Sequence, residues 1–174
     1  ASTERVVFTA IFNDVVLAGR GGSIHRASSG DGSWTSTITS LGTPTQNYEH
    51  RLFNFDGTDK IVITTATSNP QILNSSFSTS VVDATGTANF KFVEVFKNHI
   101  FFSGDASNKQ QISFMGPNLT NDFTSNNGGG TIKVDTEIVG LKAFRDTLFI
   151  FGQDKIFKLT GTSSSNFAVQ PVTR

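Results

Sequence analysis

An apolar strand ending in Phe, a polar break of two residues and a second apolar strand recur along this chain. The pattern is seen in Ile11-Phe12, Asn13-Asp14, Val15-Val16-Leu17-Ala18-Gly19. It returns in Val95-Phe96, Lys97-Asn98, His99-Ile100-Phe101-Phe102-Ser103-Gly104, and again in Ala143-Phe144, Arg145-Asp146, Thr147-Leu148-Phe149-Ile150-Phe151-Gly152. A diverged copy runs from Phe55-Asp56-Gly57-Thr58-Asp59-Lys60 into Ile61-Val62-Ile63-Thr64-Thr65. The anchoring residues Phe12, Phe55, Phe96 and Phe144 are spaced by 43, 41 and 48 positions. Asn and Asp accept the left-handed backbone that tight hairpin turns demand, so each phrase predicts two antiparallel strands joined by a two-residue turn.

Past each hairpin, a Gly or small polar turn leads to a third short strand: Ser23–Arg26, Gln71–Asn74, Gln111–Phe114 and Lys155–Lys158. An aromatic residue follows ten or eleven positions later, with Ile24 leading to Trp34, Ile112 to Phe123 and Ile156 to Phe167. The spacing predicts these three as core aromatics of a fourth, outer strand. The second repeat departs here, with Phe77 too early and Phe90 too late, so its outer loop is expected to differ. Four strands per unit at a period in the forties is the pattern of a β-propeller blade. The fold class is therefore all-β: an array of about four four-stranded antiparallel blades, closed by itself or part of a larger propeller. The repeats run over about 4–45, 46–90, 91–135 and 136–174, in one domain of 1–174. First strands are expected at Arg5–Phe12, Tyr48–Phe55, Phe90–Phe96 and Glu137–Phe144. No window carries an apolar stripe at helical spacing, so helix should be close to absent.

Composition narrows the function classes. The 174 residues include seventeen Phe but one Met, so aromatic and β-branched side chains supply the core volume. Lys plus Arg and Asp plus Glu are both 14, which leaves no global field to attract nucleic acid or an anionic membrane. Arg20, Arg26, Lys155 and Lys158 read as solvated strand ends. No apolar run reaches the roughly 18–20 residues of a membrane span, and nothing at the N-terminus resembles a signal peptide. Ala1 in place of Met fits a processed or partial chain. With no Cys, disulfides and thiolate metal sites are excluded.

The candidate chemistry is thin, and no catalytic, cofactor-binding or metal-ligating residue is assigned. His25, His50 and His99 stand at different phases of their repeats, which argues against a shared zinc site; His99 is expected to be a half-exposed packing residue. Gly30-Asp31-Gly32-Ser33 and Gly104-Asp105-Ala106-Ser107-Asn108 lack the alternating oxygen ligands of a calcium loop and read as turns. Gly128-Gly129-Gly130 is followed by no Lys-Ser or Lys-Thr pair, so it is expected to be a flexible connection between repeats rather than a phosphate loop. Asn74-Ser75-Ser76 and Asn118-Leu119-Thr120 match the glycosylation pattern but carry no weight in a chain so rich in Asn and Ser. Asp14, Asn98 and Asp146 share one turn position, which favours turn geometry over catalysis. The expectation is a protein that is not an enzyme and needs no cofactor.

The C-terminal half carries a resemblance. Asn127–Val134, Ile138–Phe151, Ile156–Gly161 and Phe167–Arg174 resemble β-propeller-bearing structural proteins of tailed-bacteriophage virions, with marine and cyanobacterial phages as the nearest kin. The resemblance is clearest over residues 94–174 and rests on strand-and-turn pattern. It implies a tail, neck or other exterior virion component, assembled in the host cytoplasm and bound to other virion proteins in an oligomeric assembly. It also implies further strands past Arg174, from a longer chain or from a neighbour. An array that does not close is expected to leave the strand edges Arg5–Phe12 and Phe167–Val172 open to strand addition. Two other classes remain beside it. One is a carbohydrate- or peptide-binding propeller, in which aromatics would recur on exposed loops. The other is a propeller-fold hydrolase, in which two or more acids would converge on the central channel.

Overall fold

The computed structural model describes residues 4–27, 32–39, 41–55, 57–82, 89–118 and 121–172. These form four sheets of four antiparallel strands, each sheet in simple up-and-down order. Blade 1 consists of β1 (Val6–Phe12), β2 (Val15–Arg20), β3 (Ser23–Ala27) and β4 (Trp34–Ile38). Blade 2 consists of β5 (Glu49–Phe55), β6 (Thr58–Thr64), β7 (Gln71–Leu73) and β8 (Thr79–Val81). Blade 3 follows with β9 (Phe92–Phe96), β10 (His99–Ser103), β11 (Gln111–Phe114) and β12 (Gly130–Lys133). Blade 4 ends the array with β13 (Ile138–Phe144), β14 (Thr147–Gly152), β15 (Ile156–Thr160) and β16 (Ala168–Pro171). A single 3-10 turn at Ser125–Asn127 is the only helix among the described residues.

Two of the hairpin turns are as the sequence required, and in the third only Arg145, at φ 53°, is left-handed. Asn13 and Asp14 have φ of 49° and 59°, and Lys97 and Asn98 have 48° and 59°. This pair of left-handed residues is the geometry whose twist matches that of the flanking strands. Strand pairing then follows outward from each turn, as in Phe12 with Val15 and Ile11 with Val16, or Phe96 with His99 and Val95 with Ile100.

The first strands lie innermost, since β9 packs against both β5 and β13. Apolar side chains alternate across each strand, and each sheet buries them against its neighbours. One core joins blades 1 and 2, around Phe8, Phe12, Leu17, Ile24, Ile61, Ile63 and Leu73. A second joins blades 2 and 3, around Phe55, Val62, Val93, Ile100, Phe102 and Met115. A third joins blades 3 and 4, around Phe96, Phe101, Phe114, Leu148, Ile150, Phe157 and Leu159. A closed ring of four blades needs four such cores. Among the described residues there is no core between blades 4 and 1.

Several expectations change here. Every blade has one inner and one outer strand edge, so the edges of β1 and β16 are not what sets the ends of the array apart. What blades 1 and 4 lack is a neighbour on one face. Phe123 and Phe167 pack into interblade cores, but from the loops before β12 and β16 rather than on those outer strands, whereas Trp34 opens β4 and is half-exposed. The glycines 128–130 do not connect repeats; Gly130 opens the outer strand of blade 3. Gly128, at φ 81°, ends the 3-10 turn, and a Cβ on Gly129 would meet the Phe123 backbone at 2.6 Å. His99 is buried rather than half-exposed, because its strand is covered by blade 4 through Phe167.

Candidate functional site

None of the residues considered for metal or catalytic chemistry converge. His25, His50 and His99 lie on three different blades, and among the described residues no group of three or more His, Asp or Glu could hold a metal ion. His25 Nδ1 bonds Ser36 Oγ at 3.1 Å, and His50 sits edge-on to Phe8. His99 Nδ1 donates to the Lys97 carbonyl at 2.5 Å, with its ring among Phe101, Phe114 and Phe167. Asp105 accepts the Ser107 N–H and Asn108 Nδ2, so that loop is turn chemistry. Asn74 Oδ1 accepts the N–H groups of Ser76 and Ser78. Gly30-Asp31 and Leu119-Thr120 lie outside the described residues. Of the basic residues, Arg26 stacks over Phe77 and Lys155 pairs with Asp135 at 2.6 Å.

Two other arrangements emerge instead. The first is a charged chain across the inner strands. Arg51 on β5 donates Nε and Nη2 to Glu94 on β9 at 2.8 and 2.9 Å, and Lys142 on β13 reaches the same carboxylate at 3.2 Å. The Glu94 side chain is buried, which by itself favours the protonated acid. The Arg51 hydrogen bonds and charge, the Val95 N–H and Lys142 outweigh that penalty and hold its pKa below the ordinary value. Glu49 accepts the Val93 N–H at 3.3 Å; burial raises its pKa, and the neighbouring Glu94 adds to the effect while Val93, Arg51 and Lys142 oppose it. Two acids thus do approach the axis. Glu94, however, is committed to two cations from two other blades, an arrangement that links three inner strands and leaves it no free oxygen for proton transfer.

The second arrangement is the pair of end faces. Each anchoring Phe points toward the following blade, where an aromatic covers it. Phe77 of blade 2 stands edge-on to Phe12 at 6.0 Å, Phe123 of blade 3 joins the core that holds Phe55, and Phe167 of blade 4 lies 6.2 Å from Phe96. Phe12, Phe55 and Phe96 are accordingly 5, 3 and 4% exposed; Phe144, with no following blade, is 61% exposed. The opposite faces behave alike. Ile100 and Leu148, facing the preceding blade, are 1 and 0% exposed, but their counterpart Val16 is 44% exposed. Around Val16 lie its partner Ile11 and, farther along the same row of blade 1, Ala27 paired with Trp34. Phe144, Phe151 and Ile156 stand exposed on the far face of blade 4.

No protein-family model matches this chain, and no curated protein is a significant match. Solved structures match its fold. A chain of the mitotic checkpoint complex superposes with a TM-score of 0.65 at 16% identity, over 97% of this chain and 53% of that one. PorZ, a bacterial surface component of the type-IX secretion system of Porphyromonas gingivalis, gives 0.63 at 14% identity, over 100% of this chain and 22% of that one. The computationally designed protein Ika4 gives 0.60 at 10% identity, over 99% of this chain and 94% of that one. The fold is that of a β-propeller. This chain spans about half of the checkpoint chain and about a fifth of PorZ.

Proposed function

We propose that this chain is a non-enzymatic structural subunit of a bacteriophage virion, a tail, neck or other exterior component, whose propeller scaffold serves protein–protein assembly. The observation that carries the assembly reading is the pair of apolar faces at the two ends of the array. Side chains that are buried in every internal blade contact stand bare there, and repeat units depend on neighbours to cover such faces. The checkpoint-complex chain, which shares the fold, is itself part of a multiprotein complex. The virion assignment is supported by the strand-and-turn resemblance over residues 94–174. The non-enzymatic reading is supported by the engagement of Glu94 with Arg51 and Lys142, and by turn roles for Asp105 and Asn74.

The test is to isolate the protein from its source under non-denaturing conditions and measure assembly size and composition. Recovery in a particle, or in a defined complex with other virion proteins, is the expected result. Recovery as a monomer of 18.7 kDa, or as a complex of this chain alone, would overturn the virion-subunit reading.

A further inference from the structure

We infer that the two end faces are complementary to each other and that a second copy of this chain covers both, blade 4 of each copy docking on blade 1 of the other. The inference rests on the reading of these faces as assembly surfaces and names what covers them. Its template is the contact the chain makes with itself between blades 3 and 4. There Phe96 is covered by Phe167, Lys97 lies over the Phe96 ring at 5.6 Å, and Lys97 Nζ reaches Asp146 in the next blade's turn at 2.5 Å.

Blade 4 presents the same set again, one step on. Phe144 is bare, and Arg145 lies over its ring at 5.3 Å, at the position Lys97 holds in blade 3. Blade 1 presents the matching receptor. Trp34, opposite Ala27, holds the ladder place that Val169 holds opposite Leu159 in blade 4, two residues past that of Phe167 and on the row of Ile11 and Val16, and Asp14 occupies the turn position of Asp146. Placing a second copy by the internal blade-to-blade relation therefore sets Arg145 against Asp14 and the Phe144 ring against the row of Ile11, Val16 and Trp34, with Phe151 and Ile156 on the same face. Neither Arg145 nor Asp14 has an ion-pair partner among the described residues. The ion pair sets register more than affinity, since its template Asp146 is largely exposed.

Two copies related by a twofold axis make this contact twice and give a ring of eight blades with no bare face. Contacts that close on themselves stop at a defined size, whereas non-closing ones run on as open chains.

The experiment is sedimentation velocity on the 174-residue chain over the micromolar range, with wild type, Phe144→Ala, Arg145→Asp, and Arg145→Asp combined with Asp14→Arg. The expected species is a dimer of twice 18.7 kDa. Phe144→Ala is expected to weaken it about 100-fold, roughly tenfold at each of two identical contacts. Arg145→Asp is expected to weaken it about tenfold, and the added Asp14→Arg to restore it. Circular dichroism of each variant checks that the fold is kept. A monomer throughout, open-ended oligomers, or a dimer indifferent to Phe144→Ala and to the charge exchange would each overturn the inference. A monomer that is nevertheless found in a larger virion complex at its source would sink the second-copy inference and leave the assembly reading standing.

Discussion

Glu94 is the residue on which the inner strands converge. Its pKa is depressed in the folded state, so the stability it contributes is present above the ordinary glutamate value of 4.5 and is lost as pH falls through the lower folded value. Glu49 has the opposite sign. Burial raises its pKa, so ionisation costs stability as pH rises through the raised value. The variant Glu94→Gln should lower stability at pH 7 by about 1–3 kcal/mol, because it strands the half-buried Arg51; Lys142, mostly exposed, adds little. Its deficit relative to wild type should shrink as pH drops below 4.5. Glu49→Gln should leave stability at pH 7 unchanged or raised by less than about 1 kcal/mol. Urea titrations from acid to neutral pH check both. A deficit for Glu94→Gln that stayed constant across that range would contradict the ion-pair account.

At the scale of strands and turns, the hairpin at Lys97-Asn98 should report directly on backbone handedness. Asn98→Val forces a β-branched residue to a φ of 59° and should cost about 1–2 kcal/mol, whereas Asn98→Gly should gain about 0.5 kcal/mol. Equal denaturation midpoints for the two variants would show that the turn adopts another geometry. These turns are also why most elements could be read from the sequence. Phe12, Phe55, Phe96 and Phe144, each followed by its turn, mark strand ends locally, and β1, β5 and β13 fall within one residue of expectation. What was not legible depends on neighbours. Phe77 covers Phe12 from outside its expected place, at a φ of 59° and before a strand of three exposed residues. Trp34 matches Phe123 and Phe167 in sequence, yet is half-exposed because no blade precedes it. The Arg51–Glu94–Lys142 chain left no motif to find. Arg51 stands four residues before its anchoring Phe, while Glu94 and Lys142 stand two before theirs.

For the molecule as a whole, the count of interblade cores governs stability. In a linear array each unit is held by its own fold and by its contacts with nearest neighbours, so blades 2 and 3 are covered on two faces and blades 1 and 4 on one. Phe102, fully buried between blades 2 and 3, should cost about 3–5 kcal/mol when cut to Ala. The same change at Phe144 should cost a monomer little, since that ring is already in water. Amide exchange should follow the same gradient. Protection should be greatest in β6, β7, β10 and β11, lower in blades 1 and 4, and least in the exposed β8. A second copy seated on the end faces would alter only part of this gradient. Raising the protein concentration should then slow exchange in blades 1 and 4 while leaving β8, on the outer edge of blade 2, as fast as before. Exchange that slowed evenly across all four blades would instead mean that the array opens as one unit, and the end faces would no longer be its weak points.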